Sequence, residues 1–126
     1  MGRLTRYFFD TYALISITHG KEAYRKYAES DVVTTRLNLM EAYYQLLRES
    51  DAVTAGLYYD GALRYAVDFT DTDVKDAMKF RLEMKRKGNN LSYMDAMGYT
   101  IALRLNVKFL TGDREFEGLA NVEYVK

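Results

Sequence analysis

Hydrophobic and polar positions switch between a period of two and a period near 3.6 along the chain, and the switches outline its elements. Residues Thr5 to Phe9 (TRYFF) read as a strand. Asp10 to Ile17 reads as a helix with Asp10 as its N-cap, a position where a carboxylate accepts from free backbone N–H groups. His19-Gly20 breaks it, and KEAYRKYAES suggests a second short helix. Val32-Val33-Thr34 is a short strand, followed by an amphipathic helix from Thr35 to Glu49 with Met40, Tyr43, Tyr44 and Leu47 at helical spacing. Asp51 to Arg64 reads as helical despite Gly56 and Gly61, which weaken helix interiors. Tyr65 to Phe69 alternates as a strand should. Asp71 or Thr72 then caps a helix to about Lys87, where Lys85, Arg86, Lys87 and Gly88 give a basic last turn and a stop. Ser92 caps SYMDAMGYTIALRLN, which Asn106 ends. Val107 to Thr111 (VKFLT) reads as a buried strand, Gly112-Asp113 turns out of it, and Val122 to Val125 is a last short edge strand.

Strands alternating with helices predict an α/β protein, a three-layer α/β/α sandwich with a mainly parallel central sheet. With no linker, repeat or low-complexity segment, residues 1–126 read as one domain. In such sheets ligands bind beyond the carboxyl ends of the strands. Asp10 directly follows Tyr7-Phe8-Phe9, and Asp113 follows Phe109-Leu110-Thr111 after one glycine, so both are expected at one rim.

Composition narrows the chemistry. The absence of cysteine removes disulfides, thiolate-bound zinc and thiol catalysis. His19 is the single histidine, which leaves metal chemistry to oxygen ligands, and these favour Mg²⁺ or Mn²⁺. Lys+Arg and Asp+Glu balance at 18 each, so any contact with nucleic acid needs a local patch. No apolar run approaches the ~20 residues of a membrane helix. Asp10 interrupts the apolar N-terminus and no small-residue cleavage site follows, which points to no signal peptide and a cytoplasmic protein.

Two further acids stand out by position. Glu41 shares a stripe with Leu37 and Tyr44, an expected half-apolar setting, and has no cation among Leu37, Asn38, Tyr44 and Gln45 to pair with. Asp95 shares a stripe with the closely packing Gly98, Tyr99 and Ala102. Each acid also has a structural reading: Asp10 and Asp113 as caps, Asp95 as a first-turn acid that favours the helix dipole. Jointly, carboxylates gathered without cations repel one another, and a divalent cation removes that penalty.

The same residues carry a resemblance. RYFFDTYALI, RLNLMEAYYQLL and LSYMDAMGYTIALRLNVKFLTGDREFEGL, in that order, resemble the opening strand and Asp, the glutamate helix and the C-terminal half of PIN-domain proteins. The resemblance implies a Mg²⁺- or Mn²⁺-dependent endoribonuclease similar to VapC-like toxins of type II toxin–antitoxin pairs. It makes Asp10, Glu41, Asp95 and Asp113 the acidic metal-binding, catalytic quartet. Thr11 and Thr111 match hydroxyl positions that bond a ligand or a carboxylate, and Arg114 is placed to meet phosphate or is a plain surface arginine. Glu115 and Glu117 are candidate fifth acids that the motif does not fix. It further implies a homodimer, an RNA substrate, a small antitoxin partner and no membrane.

Other features stay open between roles. Lys75, Lys79, Arg81, Lys85, Arg86 and Lys87 form either an RNA-facing patch or a solvated face with a basic helix end. His19 reads as a turn residue. Tyr24, Tyr27, Tyr43, Tyr44, Tyr58, Tyr59 and Tyr65 exceed what so short a chain buries in its own core, which suggests a two-fold interface. Three functions fit: a ribonuclease toxin, a PIN nuclease of RNA processing or DNA repair without an antitoxin, and a non-catalytic α/β interaction module.

Overall fold

Phe8 and Phe9 are neighbours on the first strand and bury into opposite halves of the molecule, the period-two signature of a strand covered on both faces. The computed structural model describes residues 5–126. Strands β1 (Arg6–Phe9), β2 (Asp31–Val33), β3 (Lys108–Thr111) and β4 (Val122–Tyr124) form one parallel sheet in the order β2-β1-β3-β4. The register sets Phe8 beside Val33 and Phe109, and Phe9 beside Leu110.

Against Phe9 and Leu110 pack Leu14 of α1 (Thr11–Thr18), Tyr24 and Tyr27 of a 3₁₀ helix (Glu22–Glu29) and Leu39 of α2 (Arg36–Glu49). Ala55 of α3 (Ala52–Ala62) continues this layer against Ala42 and Leu46. Against Phe8 and Phe109 pack Ala77 and Met84 of α4 (Asp71–Arg86), and Ala96 and Ile101 of α5 (Tyr93–Arg104). The three-layer α/β/α sandwich with a parallel centre is therefore the fold. Gly98 lets α5 descend onto the sheet, since a Cβ there would lie 2.9 Å from the Phe8 ring and 3.0 Å from that of Phe109. Asn106 ends α5 with φ +56°, the left-handed turn that asparagine tolerates. Among the described residues no helix is long and apolar enough to cross a membrane.

Three local expectations change. Tyr65 to Phe69 is not a strand: Leu63–Tyr65 closes a 3₁₀ turn, and Ala66 makes only an isolated bridge to Thr34. Two backbone bonds, from Thr34 N–H to Tyr65 and from Val67 N–H to Thr34, hold it at the single residue just past the short edge strand β2. The cap of α4 is Thr70 rather than Asp71 or Thr72, because Thr70 and Asp73 satisfy each other's N–H groups reciprocally. Asp73 is buried there, and Arg104 grips it through two bonds of 2.8 Å and 2.9 Å. The buried stripe of α2 is Asn38, Leu39, Ala42 and Leu46, while Met40 and Tyr44 face solvent at 55% and 61% exposure. Helical spacing supported either stripe, and contact with Leu14 and Phe9 selected the narrower one. KEAYRKYAES is helical but of 3₁₀ type.

Candidate active site

Parallel strands deliver their following residues to one rim, and the chain places acids there. Asp10, directly after β1, is 4% exposed and caps α1: its Oδ1 accepts from the Ala13 N–H at 2.8 Å. Its other oxygen accepts the hydroxyl of Thr111, the last residue of β3. That hydroxyl oxygen in turn accepts the Asp113 N–H at 3.0 Å, so Thr111 ties the two rim acids together. Asp113 accepts the Glu115 N–H at 3.0 Å. Gly112 between them lies where a Cβ would fall 2.1 Å from the Tyr12 ring. Asp95 opens α5 in a reciprocal pair with Ser92: its N–H donates to Ser92 Oγ at 3.0 Å, and its carboxylate accepts the Ser92 N–H at 3.3 Å. Asp10 and Asp113 are thus N-caps and Asp95 is the first-turn acid of a capping box led by Ser92, and these bonds fix where their remaining lone pairs point.

Asp10, Glu41, Asp95 and Asp113 all line a single open cleft of about 770 Å³. Glu41 reaches it from the outer face of α2 and is solvent-exposed, which corrects the expected half-apolar setting. Thr11 lines the cleft and its hydroxyl accepts from Asn38 Nδ2 at 3.3 Å. Asn38 is buried, held by the Thr35 hydroxyl at 2.7 Å, and so supports the rim from beneath; sequence reasoning did not find it. Tyr44, Gln45 and Arg48 also line the cleft unforeseen. The signal was available, since they follow Glu41 at helical spacings of three, four and seven.

The cations of the cleft are Arg48 and Arg114, and none of the six basic residues of α4 and its end reaches it. Arg81 instead donates to the Leu91 carbonyl and lies 4.4 Å from the centroid of the Tyr93 ring. Glu115 and Glu117 are exposed and do not line the cleft. His19 caps the end of α1 and meets Glu49 at 2.9 Å, a turn residue as expected.

Burial pushes the Asp10 carboxyl up to about 7; its hydrogen bonds from Thr111 and Ala13 only partly oppose this, and the charges of Asp95 and Asp113 add to it. Burial also raises Asp95, helped by Asp113 and Glu41 and resisted by the Ser92 bonds. Burial is thus the main cause at both Asp10 and Asp95, and the neighbouring carboxylates add to it. Among the described residues no three carboxylate or imidazole groups converge tightly enough to clasp one bare ion. The donor set nonetheless fits Mg²⁺ or Mn²⁺: it is all oxygen, and Mg²⁺ keeps several waters and needs only one or two direct carboxylates.

The family model for the PIN domain matches residues 7–122. No curated protein matches the sequence. Among solved structures, VapBC2 from Rickettsia felis, bound to a DNA fragment from its promoter, has a similar chain. The TM-score is 0.74 at 17% identity, covering 97% of this chain and 100% of that one. DNA-bound VapBC from Salmonella typhimurium matches with a TM-score of 0.74 at 19% identity over 96% of this chain and 97% of that one. VapC20 of Mycobacterium tuberculosis, a toxin that cleaves the sarcin–ricin loop, gives 0.72 at 18% identity over 95% and 99%. At these identities the likeness is one of fold.

Proposed function

The chain belongs to the PIN-domain family, and from that membership we propose that it is a Mg²⁺- or Mn²⁺-dependent endoribonuclease, the toxin of a toxin–antitoxin pair. In this reading residues 1–126 act as one nuclease domain in the cytoplasm. The observation that carries it is the arrangement of Asp10, Glu41, Asp95 and Asp113, brought from four separate segments to one solvent-filled cleft. The likeness in fold to VapBC chains supports the pairing with a small antitoxin. The seven tyrosines expected in excess do not carry the homodimer: Tyr24 and Tyr27 are buried, and Tyr43, Tyr58, Tyr59 and Tyr65 pack half-buried against the core. Of the seven only Tyr44 is exposed, and with the exposed Val53 and Leu57 on α3 it supports a self-association face instead.

Bound at these carboxylates, a divalent ion supplies activation of a water and stabilisation of the displaced phosphate oxygen. The chain's own residues do the rest. Ala13 N–H and the Thr111 hydroxyl hold the Asp10 carboxylate in one orientation, so its free lone pairs need no reorganisation to meet a ligand. Thr111 couples the positions of Asp10 and Asp113 through one oxygen. Asp95 presents its carboxylate from the first turn of α5, fixed by Ser92. Glu41, exposed on α2, has the freedom to approach the site directly or through water. Arg114 and Arg48 face the cleft without an ion-pair partner among the described residues, so both can receive the anionic backbone of the substrate.

The test is cleavage of single-stranded RNA by the purified protein. Products are expected with Mg²⁺ or Mn²⁺ and none with EDTA; full activity in EDTA would remove both the metal and the carboxylate assignment. An adjacent small gene encoding a DNA-binding protein, and its co-purification with this chain, would separate a toxin from a stand-alone PIN nuclease.

A further inference from the structure

The acidic cleft continues past its carboxylates. Tyr12 and Gln45 line it, and the same two residues line a second hollow of about 440 Å³ whose other walls are Ile15, Ser16, His19 and Lys21. The two hollows are adjacent across these shared walls, the first acidic at the sheet rim and the second fronted beyond Tyr12 by an ammonium group. Lys21 Nζ donates to Tyr12 Oη at 2.7 Å, and lies 4.8 Å and 5.8 Å from the ring centroids of Tyr12 and Tyr24. Among the described residues no carboxylate pairs with it. Glu49, which bonds the lining residues His19 and Gln45, is engaged by them, and Glu22, next to Lys21 in the chain, pairs with Arg25.

That setting is unusual for a lysine. The Tyr12 hydroxyl and the Tyr24 ring attract the ammonium without cancelling its charge, and one of its three hydrogens is spent on Tyr12 while two remain for an acceptor. Anchoring the side chain beforehand also reduces the rotamer entropy that binding would otherwise remove. Adjacent hollows that carry carboxylates for phosphodiester chemistry in one and an unneutralised, pre-positioned cation in the other fit a polyanion lying across both.

We propose that the second hollow is a phosphate subsite for single-stranded RNA, in which Lys21 binds the backbone phosphate of a nucleotide flanking the one held at the carboxylates. This rests on the nuclease reading above. Tyr12 marks the passage between the subsites, and Lys21 contributes to binding and takes no part in bond cleavage. A substrate too short to span both hollows cannot use it.

The experiment measures binding apart from cleavage, by fluorescence anisotropy of random-sequence single-stranded RNA with Ca²⁺ in place of Mg²⁺. Probes of roughly 2 nucleotides, which carry a single phosphodiester, and roughly 12 nucleotides are used, the longer matching common single-strand site sizes. Lys21→Met keeps the apolar stem and removes the charge, Lys21→Gln serves if the first variant melts early, and Lys21→Arg restores the charge. Both neutral variants are expected to bind the long RNA about tenfold to a hundredfold more weakly, as loss of one charge-assisted bond implies. Raising salt from about 50 to about 200 mM should weaken wild type about threefold more than the variants, the share of one phosphate on a single strand. The short probe should not distinguish the proteins, and Lys21→Arg should match wild type. Equal long-RNA affinity and equal salt dependence in wild type and Lys21→Met would overturn the subsite even if the protein cleaves RNA. Failure of wild type to bind either probe would overturn it as well, and a protein that binds as expected yet cleaves nothing would fault the nuclease reading alone.

Discussion

Asp10→Asn separates the two roles that the structure gives this residue. The substitution keeps a side-chain oxygen for the Ala13 N–H, so the cap on α1 survives. What disappears is a carboxyl pushed to about 7 by burial, the Thr111 and Ala13 bonds offsetting only part, with the charges of Asp95 and Asp113 raising it further. In the unfolded chain the same group titrates near 3.9. Because the folded value is the higher one, the folded state holds its proton longer. The stability this gives is complete below about pH 4 and is lost as pH rises through about 7. Ionising the group in the fold at pH 8 therefore costs at most about 4 kcal/mol, at 1.36 kcal/mol for each tenfold change. Asparagine removes that cost but leaves the Thr111 hydroxyl without its acceptor, a loss of about 1–3 kcal/mol for a buried donor. The balance is a gain of about 1–3 kcal/mol, and a chain of this length converts each kcal/mol to about 4 °C in Tm. Thermal unfolding in EDTA at pH 8 should thus show Asp10→Asn melting about 4–12 °C above wild type. At pH 4 the gain should vanish or reverse. A variant equal to or less stable than wild type at pH 8 would refute the reasoning and leave Asp10 an ordinary cap.

Three further outcomes follow from the same geometry. Mg²⁺ affinity, read by the rise in Tm with added ion, should strengthen between pH 6 and 8 by about tenfold as Asp10 sheds its proton; a flat profile would detach the ion from Asp10. Gly98→Ala should destabilise by about 1–3 kcal/mol in chemical denaturation, because its methyl meets the packed rings of Phe8 and Phe109; an unchanged midpoint would mean that the α5–sheet contact yields easily. Light scattering at micromolar concentration should give the mass of two chains, since Tyr44, Val53 and Leu57 remain 61%, 73% and 70% exposed on α2 and α3; a single-chain mass unchanged on concentration would exclude the dimer.

Where the sequence was legible, strong local chemistry and burial agreed. Asp10 after an apolar strand, Ser92 three residues before Asp95, and the T-G-D turn after VKFLT each determined a local backbone that the fold retained. Parallel pairing then brought Asp10 and Asp113 to one rim, so the placement of the site followed from topology. Misreadings arose where a local pattern had two solutions. Tyr65–Phe69 alternates, but alternation makes a strand only beside a partner long enough to pair with, and β2 has three residues. On α2, Met40 and Tyr44 were as apolar as Leu39 and Ala42, and only tertiary contact decided which stripe is buried. Asn38, Arg48 and Lys21 were missed because their neighbours in space come from other elements: Thr11, the cleft and Tyr12.

The central claim, that the rim carboxylates perform phosphodiester cleavage and are not merely caps, is tested most directly by turnover of Asp10→Asn and Asp95→Asn against wild type. The assay is the initial rate of RNA cleavage in saturating Mg²⁺, on proteins whose folding is verified by thermal melts. Both variants retain capping oxygens, so both should fold, and both should lose orders of magnitude in rate. A well-folded Asp10→Asn protein with wild-type turnover would contradict the assignment.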